Sequence, residues 1–98
     1  MRIASLSVTA TAQSLKSLIG ARAPEEVSLL IVQAPAANGA VVYFGDSAQQ
    51  IFELAAGDPL YYVPADVQSG RLNLNLIYFK GTAPDKINAW WIPINEVQ

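Results

Sequence analysis

Four aspartates carry the carboxylates best placed for acid–base work or for holding a hard cation: Asp46, Asp58, Asp66 and Asp85. Each stands in a turn segment that holds Gly, Pro or both, and turn formation alone explains a carboxylate there, since Asp bonds its own following backbone. Calcium needs several oxygens converging from an alternating Asp/Asn run, and the chain has no such run. Gly45-Asp46-Ser47 reads as a turn. Lys16, Lys80 and Lys86 have no nucleophile motif around them, and the remaining serines and threonines fall mainly on strand-like faces. The six glycines are isolated, so none forms a phosphate-cradling loop. There is no histidine and no cysteine. The commonest neutral-pH base and the thiolate nucleophile are therefore both missing, along with disulfides and the usual zinc ligands. The expectation is a protein that is not an enzyme, with no catalytic, cofactor-binding or metal site.

Charge narrows the partners. The net charge is −2, and the basic residues Arg2, Lys16, Arg22, Arg71, Lys80 and Lys86 are scattered along the chain. Nucleic-acid binding needs several cations on one face, and an anionic membrane needs a polybasic run; neither partner is expected. No stretch reaches the roughly 20 apolar residues of a membrane helix. The alternating N-terminal pattern is unlike a signal peptide, which places synthesis in the cytoplasm.

What stands out is apolar and aromatic content. Hydrophobic residues make up 52% of the chain and charged residues 14%, against roughly 25% charged in an average soluble protein. A domain this small has much surface to cover, so apolar surface is left for a partner or a second copy. Four adjacent aromatic pairs, Tyr43-Phe44, Tyr61-Tyr62, Tyr78-Phe79 and Trp90-Trp91, each send one ring to either face of a strand. Tyr and Trp anchor protein interfaces. Asn73, Asn75 and Asn88 add amides that can satisfy a partner's backbone. Tyr61, Asn73, Phe79 and Trp90 are the candidate contact residues.

The elements that position them are strands. Ile3–Ala12 alternates, with Leu6, Val8 and Ala10 on one side and hydroxyl residues on the other. Residues 13–19 switch to helical spacing, with Ser14 as cap and Gly20 as stop. Val27–Ala34 is a continuous apolar run, expected as a central strand covered on both faces. Asn38-Gly39 signals a hairpin returning through Ala40–Phe44. Short strands follow at Ile51–Leu54 and Leu60–Val63, separated by a turn at Gly57-Asp58-Pro59. A closing hairpin is expected around Gly81–Asp85, with Leu72, Leu74, Leu76 and Tyr78 alternating in its first strand and Trp90-Trp91 in its second. The result is an all-β fold, a single β-sandwich or barrel-like domain over residues 1–98, with about seven short antiparallel strands and one short helix. Leu72, Leu74, Leu76 and Trp91 are expected to hold the core.

The succession AQSLKSLIGA, SLLIVQAPAANGAVVYFGDS, FELAAGDPLYYVP and LNLIYFKGTAPDKINAWWIP resembles small virion structural proteins of tailed bacteriophages over about Ser5–Pro93. These carry a similar order of strand, helical turn, "VY-GDS" strand end, "L-PGD" turn and C-terminal "KGTAGDKVNV-W" hairpin. Here Ala55-Ala56-Gly57-Asp58-Pro59 replaces the Pro-Gly turn, and Pro84 stands where Gly is common. The resemblance implies a non-enzymatic virion component, foremost a capsid decoration (cement) protein that contacts the major capsid protein and forms a homo-oligomer, a trimer first. A head–tail connector, tail or fibre-base adaptor is the alternative, and a carbohydrate-binding β-sandwich module the reading from another class.

Overall fold

The computed structural model describes residues 2–21, 23–24, 26–64 and 66–94. It is all-β. Nine strands are present among these residues, two more than expected because two are very short: β1 (Arg2–Ser7), β2 (Gln13–Ser14), β3 (Glu26–Gln33), β4 (Val42–Gly45), β5 (Phe52–Leu54), β6 (Tyr61–Val63), β7 (Leu72–Asn73), β8 (Tyr78–Lys80) and β9 (Lys86–Pro93). One helix, α1 (Leu15–Ile19), follows β2. Its cap is as expected: Ser14 accepts the Ser17 N–H at 3.1 Å, and Gly20 ends the helix at φ 95°. No helix among the described residues is long and apolar enough to cross a membrane.

The larger sheet runs β1-β9-β3-β6, with β7 also on β3; the smaller runs β2-β8-β4-β5, and all pairs are antiparallel. Leu6, Val27, Leu30, Val32, Val63, Ile87, Ala89 and Trp91 of the larger sheet meet Val42, Phe44, Leu54 and Phe79 of the smaller in one core, joined by Val8, Leu15 and Leu74. Ala10, expected beside Leu6 and Val8, is exposed, because β1 ends at Ser7.

Of the expected hairpins, neither the Asn-Gly turn nor the closing loop is one. β3 and β4 lie in different sheets, as do β5 and β6, and β8 and β9. The loops at Gly39, Gly57 and Gly81 therefore carry the chain across the sandwich, and β4–β5 is the pair joined as a hairpin. The physical reason lies at the loops. Asn38 bonds both backbone groups of Lys86, donating from Nδ2 to its carbonyl (2.7 Å) and accepting its N–H at Oδ1 (2.8 Å). Asp85 accepts the N–H groups of Gly39 (2.8 Å) and Ala40 (3.0 Å). Gly57, at φ 79°, donates its N–H to the Ala34 carbonyl at 3.0 Å. These bonds hold the three loops together at one end of the sandwich.

Two further expectations change. Leu72–Tyr78 is not one alternating strand: Leu74–Leu76 is a 3-10 turn capped by Asn73, whose Oδ1 accepts the Asn75 N–H at 2.8 Å. The turn rotates Leu76 outward to 67% exposure while Leu74 is fully buried, so Leu76 does not support the core. β3 is central but not covered on both faces. Its pairing with β9 slips between Val27 and Leu29, a bulge at Ser28, whose hydroxyl donates to the Ile92 carbonyl at 3.3 Å. The bulge lets both Val27 and Leu30 face the core and leaves Leu29 and Ile31 half-buried on the outer face.

Candidate protein-contact surface

The strand registers assemble a surface that no single segment displays. Ile3 lies opposite Trp90, Trp90 opposite Ile31, and Ile31 opposite Tyr62. Four strands thus place four large side chains in one row across the outer face of the larger sheet. Ile3 is 78% exposed, Tyr62 is exposed, and Trp90 and Ile31 are half-buried. Leu29 and Ile92 pair on one side of the row; Ser5, Asn88 and Gln33 line the other. Beside the row lies a shallow cleft of about 190 Å³, lined by Ile3, Ile31, Gln33, Leu60, Asn88 and Trp90. The surface is apolar at its centre and carries amides and hydroxyls at its rim, the composition of a contact patch.

The adjacent tryptophans do occupy opposite faces. Trp91 is 4% exposed in the core, and Trp90 contributes to the outer row. The indole N–H of each is buried and meets no acceptor among the described residues.

A second aromatic group sits where β5 and β6, the edge strands of the two sheets, run along the same flank. Phe44 is its hub, with ring centroids 5.5 Å from Phe52, 5.2 Å from Tyr61 and 5.7 Å from Phe79. Phe52 and Tyr61 are exposed.

The four candidate contact residues therefore separate. Trp90 lies on the outer face. Tyr61 lies on the β5–β6 flank, against Phe44. Asn73 is half-buried, and its side-chain oxygen is engaged in capping the 3-10 turn. Phe79 is corrected: at 1% exposure it is core, because β8 is internal to the smaller sheet and Tyr78, not Phe79, takes the outer side. Ile3, Ile31 and Tyr62 were missed, since only the pairing of β1 with β9 and β9 with β3 brings them together.

All four aspartates bind turn backbone. Asp46 Oδ1 accepts the N–H groups of Ala48 (2.9 Å) and Gln49 (2.8 Å), and Asp58 Oδ2 accepts that of Ala55 (3.3 Å). Asp66 Oδ1 accepts those of Ser69 (3.0 Å) and Gln68 (2.8 Å), which hold its carboxyl below the ordinary carboxylate pKa. Asp85 is 7% exposed and serves the loop latch. No group of three or more His, Cys, Asp or Glu among the described residues could hold a metal ion. The Arg71–Glu26 ion pair (3.2 Å) joins β3 to the segment before β7 at a solvated surface, where such pairs contribute little.

Comparison with known proteins returned no match to a family model, a curated protein or a solved structure. The likeness to phage virion proteins rests on the quoted sequence motifs alone.

Proposed function

We propose that the chain is a non-enzymatic structural subunit of a tailed-phage particle that works by protein–protein contact, foremost as a capsid decoration protein. The observation that carries the contact role is the row Ile3–Trp90–Ile31–Tyr62 on the outer face of the larger sheet. The motif order supports the virion setting. A decoration protein adds buried area across capsomer boundaries. At roughly 25 cal/mol per Å² of apolar surface, a modest contact repeated over a shell sums to a large resistance to rupture, less the cost of ordering.

The test is to mix purified protein with expanded heads of the phage encoding it, separate the particles and count bound copies. Copies on the order of hundreds fit decoration, and about six or twelve fit a connector or tail position. Trp90→Ala and Tyr62→Ala should release the protein from particles while leaving its circular dichroism unchanged. Protein that stays in solution beside every particle component overturns the reading. Loss of glycan binding in Trp90→Ala would instead support a carbohydrate module.

A further inference from the structure

We infer that two copies of this chain associate by pairing their β1 strands edge to edge, so that the larger sheets of both become one continuous sheet about a two-fold axis at Ser5. This stands independently of the virion proposal. It replaces the trimer implied by the resemblance with a two-fold contact.

The first observation is which backbone groups β1 leaves open. The β1–β9 register continues to Val8, whose N–H donates to the Asp85 carbonyl at 3.1 Å. Antiparallel pairs alternate between hydrogen-bonded and non-bonded residues. Arg2, Ala4 and Leu6 therefore turn their backbone groups toward β9, and Ile3, Ser5 and Ser7 turn theirs away. No backbone hydrogen bond from a described residue reaches those outward groups, and all three residues are exposed.

The second observation is that this edge lacks the protection the others have. An open strand edge is a template for another strand, and proteins blunt edges by brevity, charged side chains, Pro, bulges or a covering helix or loop. β2 and β7 are two residues long, β5 and β6 three, and β6 is flanked by Pro59 and Pro64. β1 meets Ile19 and Pro24 at its Arg2–Ile3 end, and from Ile3 to Ser7 it stays in continuous register with β9 without a charge, Pro or bulge. It is the long, unblunted edge among the described strands.

The third observation selects a second copy as occupant. Pairing centred on Ser5 sets Ile3 against the partner's Ser7, Ser5 against the partner's Ser5, and Ser7 against the partner's Ile3. It uses every outward group between residues 3 and 7. No charged residue lies in that span, so self-pairing brings no like charges together. The small Ala4 falls opposite the partner's Leu6. The outer apolar row ends at Ile3, which meets the partner's Ser7, so the join itself is lined by Ile3 and serine hydroxyls and rests on backbone hydrogen bonds. A strand of this length buries less than a standard interface, so the dimer is concentration-dependent.

The sequence supplies a direct test, because the chain has no cysteine of its own. Opposed residues of a hydrogen-bonded antiparallel pair have Cα atoms about 5.5 Å apart, within disulfide reach. Under mild oxidation Ser5→Cys should give a disulfide-linked dimer, and Ser69→Cys, on an exposed turn, should not. In sedimentation equilibrium the wild-type chain should approach twice its 10.5 kDa mass as concentration rises. Ser5→Lys sets two ammonium groups face to face, and Ser5→Pro removes an N–H that bonds nothing within the monomer. Both should remain at monomer mass with the wild-type circular dichroism spectrum. A wild-type chain that stays monomeric at millimolar concentration overturns the inference. So does a trimer mass, a dimer that survives both Lys and Pro at position 5, or a Ser5→Cys chain that fails to cross-link. Particle binding with no dimer would sink this inference and leave the proposed function standing; a dimer with no particle binding would do the reverse.

Discussion

Removing the Asp85 carboxylate should loosen the end of the sandwich where three loops cross between sheets. Its oxygens accept two N–H groups, from Gly39 at 2.8 Å and Ala40 at 3.0 Å, and the residue is 7% exposed. Hydrogen bonds to a charged group contribute about 1.5–3 kcal/mol each. Gly39 and Ala40 are themselves exposed, so water can replace the lost acceptor and the low end applies. Asp85→Ala should therefore cost about 3 kcal/mol, with a fall in Tm of roughly 12–24 °C for a domain of this size. Asp85→Asn keeps one acceptor but turns an amide N–H toward a backbone N–H, so it should recover less than half of the loss. Urea unfolding followed by Trp fluorescence measures both, and the midpoint should move by about 1–2 M with the slope unchanged. Asn38→Ala removes the neighbouring pair of bonds to Lys86, and the double variant should show a coupling of at least about 0.5 kcal/mol. If Asp85→Ala unfolds within about 0.5 kcal/mol of wild type, the carboxylate is not what holds the loops, and the account given for the crossing is mistaken.

Other outcomes follow from the same structure. Phe79→Ala opens a cavity beside Phe44 and should cost about 3–5 kcal/mol, while Leu76→Ala should stay within about 0.5 kcal/mol, both by urea unfolding; equal effects would contradict the burial assigned to the two residues. Gly45→Ala places a Cβ against the Gln49 backbone in the β4–β5 hairpin, whose turn bonds the Asp46 N–H to the Gln49 carbonyl at 2.9 Å. It should lower Tm measurably, whereas Gly20→Ala meets strain from its positive φ but no collision. Asp66, its pKa lowered by N–H groups of Ser69 and Gln68, adds stability above the unfolded carboxylate pKa of about 3.9 that is lost as pH falls through its folded value. Asp66→Asn should flatten the acid limb of a Tm-against-pH profile, and an unchanged limb would count against the turn bonds.

Local chemistry was readable residue by residue. Ser14 and Gly20 announced the helix ends, the four aspartates announced turns, and Trp90-Trp91 announced two faces. What the residues do not encode locally is which sheet a strand joins. Gly, Pro and Asn are needed alike by a two-residue hairpin and by a longer arch between sheets, so Asn38-Gly39 reads as the former while serving the latter. Only the distant partners Asp85 and Lys86 distinguish them. The same gap hid the contact surface. Ile3 and Trp90 are neighbours through a register linking opposite ends of the chain, and Ile31 joins them because a bulge at Ser28 changes which side β3 presents. Phe79 was misplaced for a related reason: the 3-10 turn at Leu74–Leu76 resets the alternation on which its outward position depended.

The placement of β9 has a consequence during synthesis. It lies between β1 and β3, and it is translated after every other described strand. Until it leaves the ribosome, β1 has no partner among the described strands, and β3 has at most the short β6 and β7. The larger sheet cannot be built progressively as the chain emerges; its central strand arrives last. Folding is thus set by non-local pairing, the slow regime for β-rich domains, in which long hydrophobic edges stay open to other nascent chains until β9 has emerged from the ribosome.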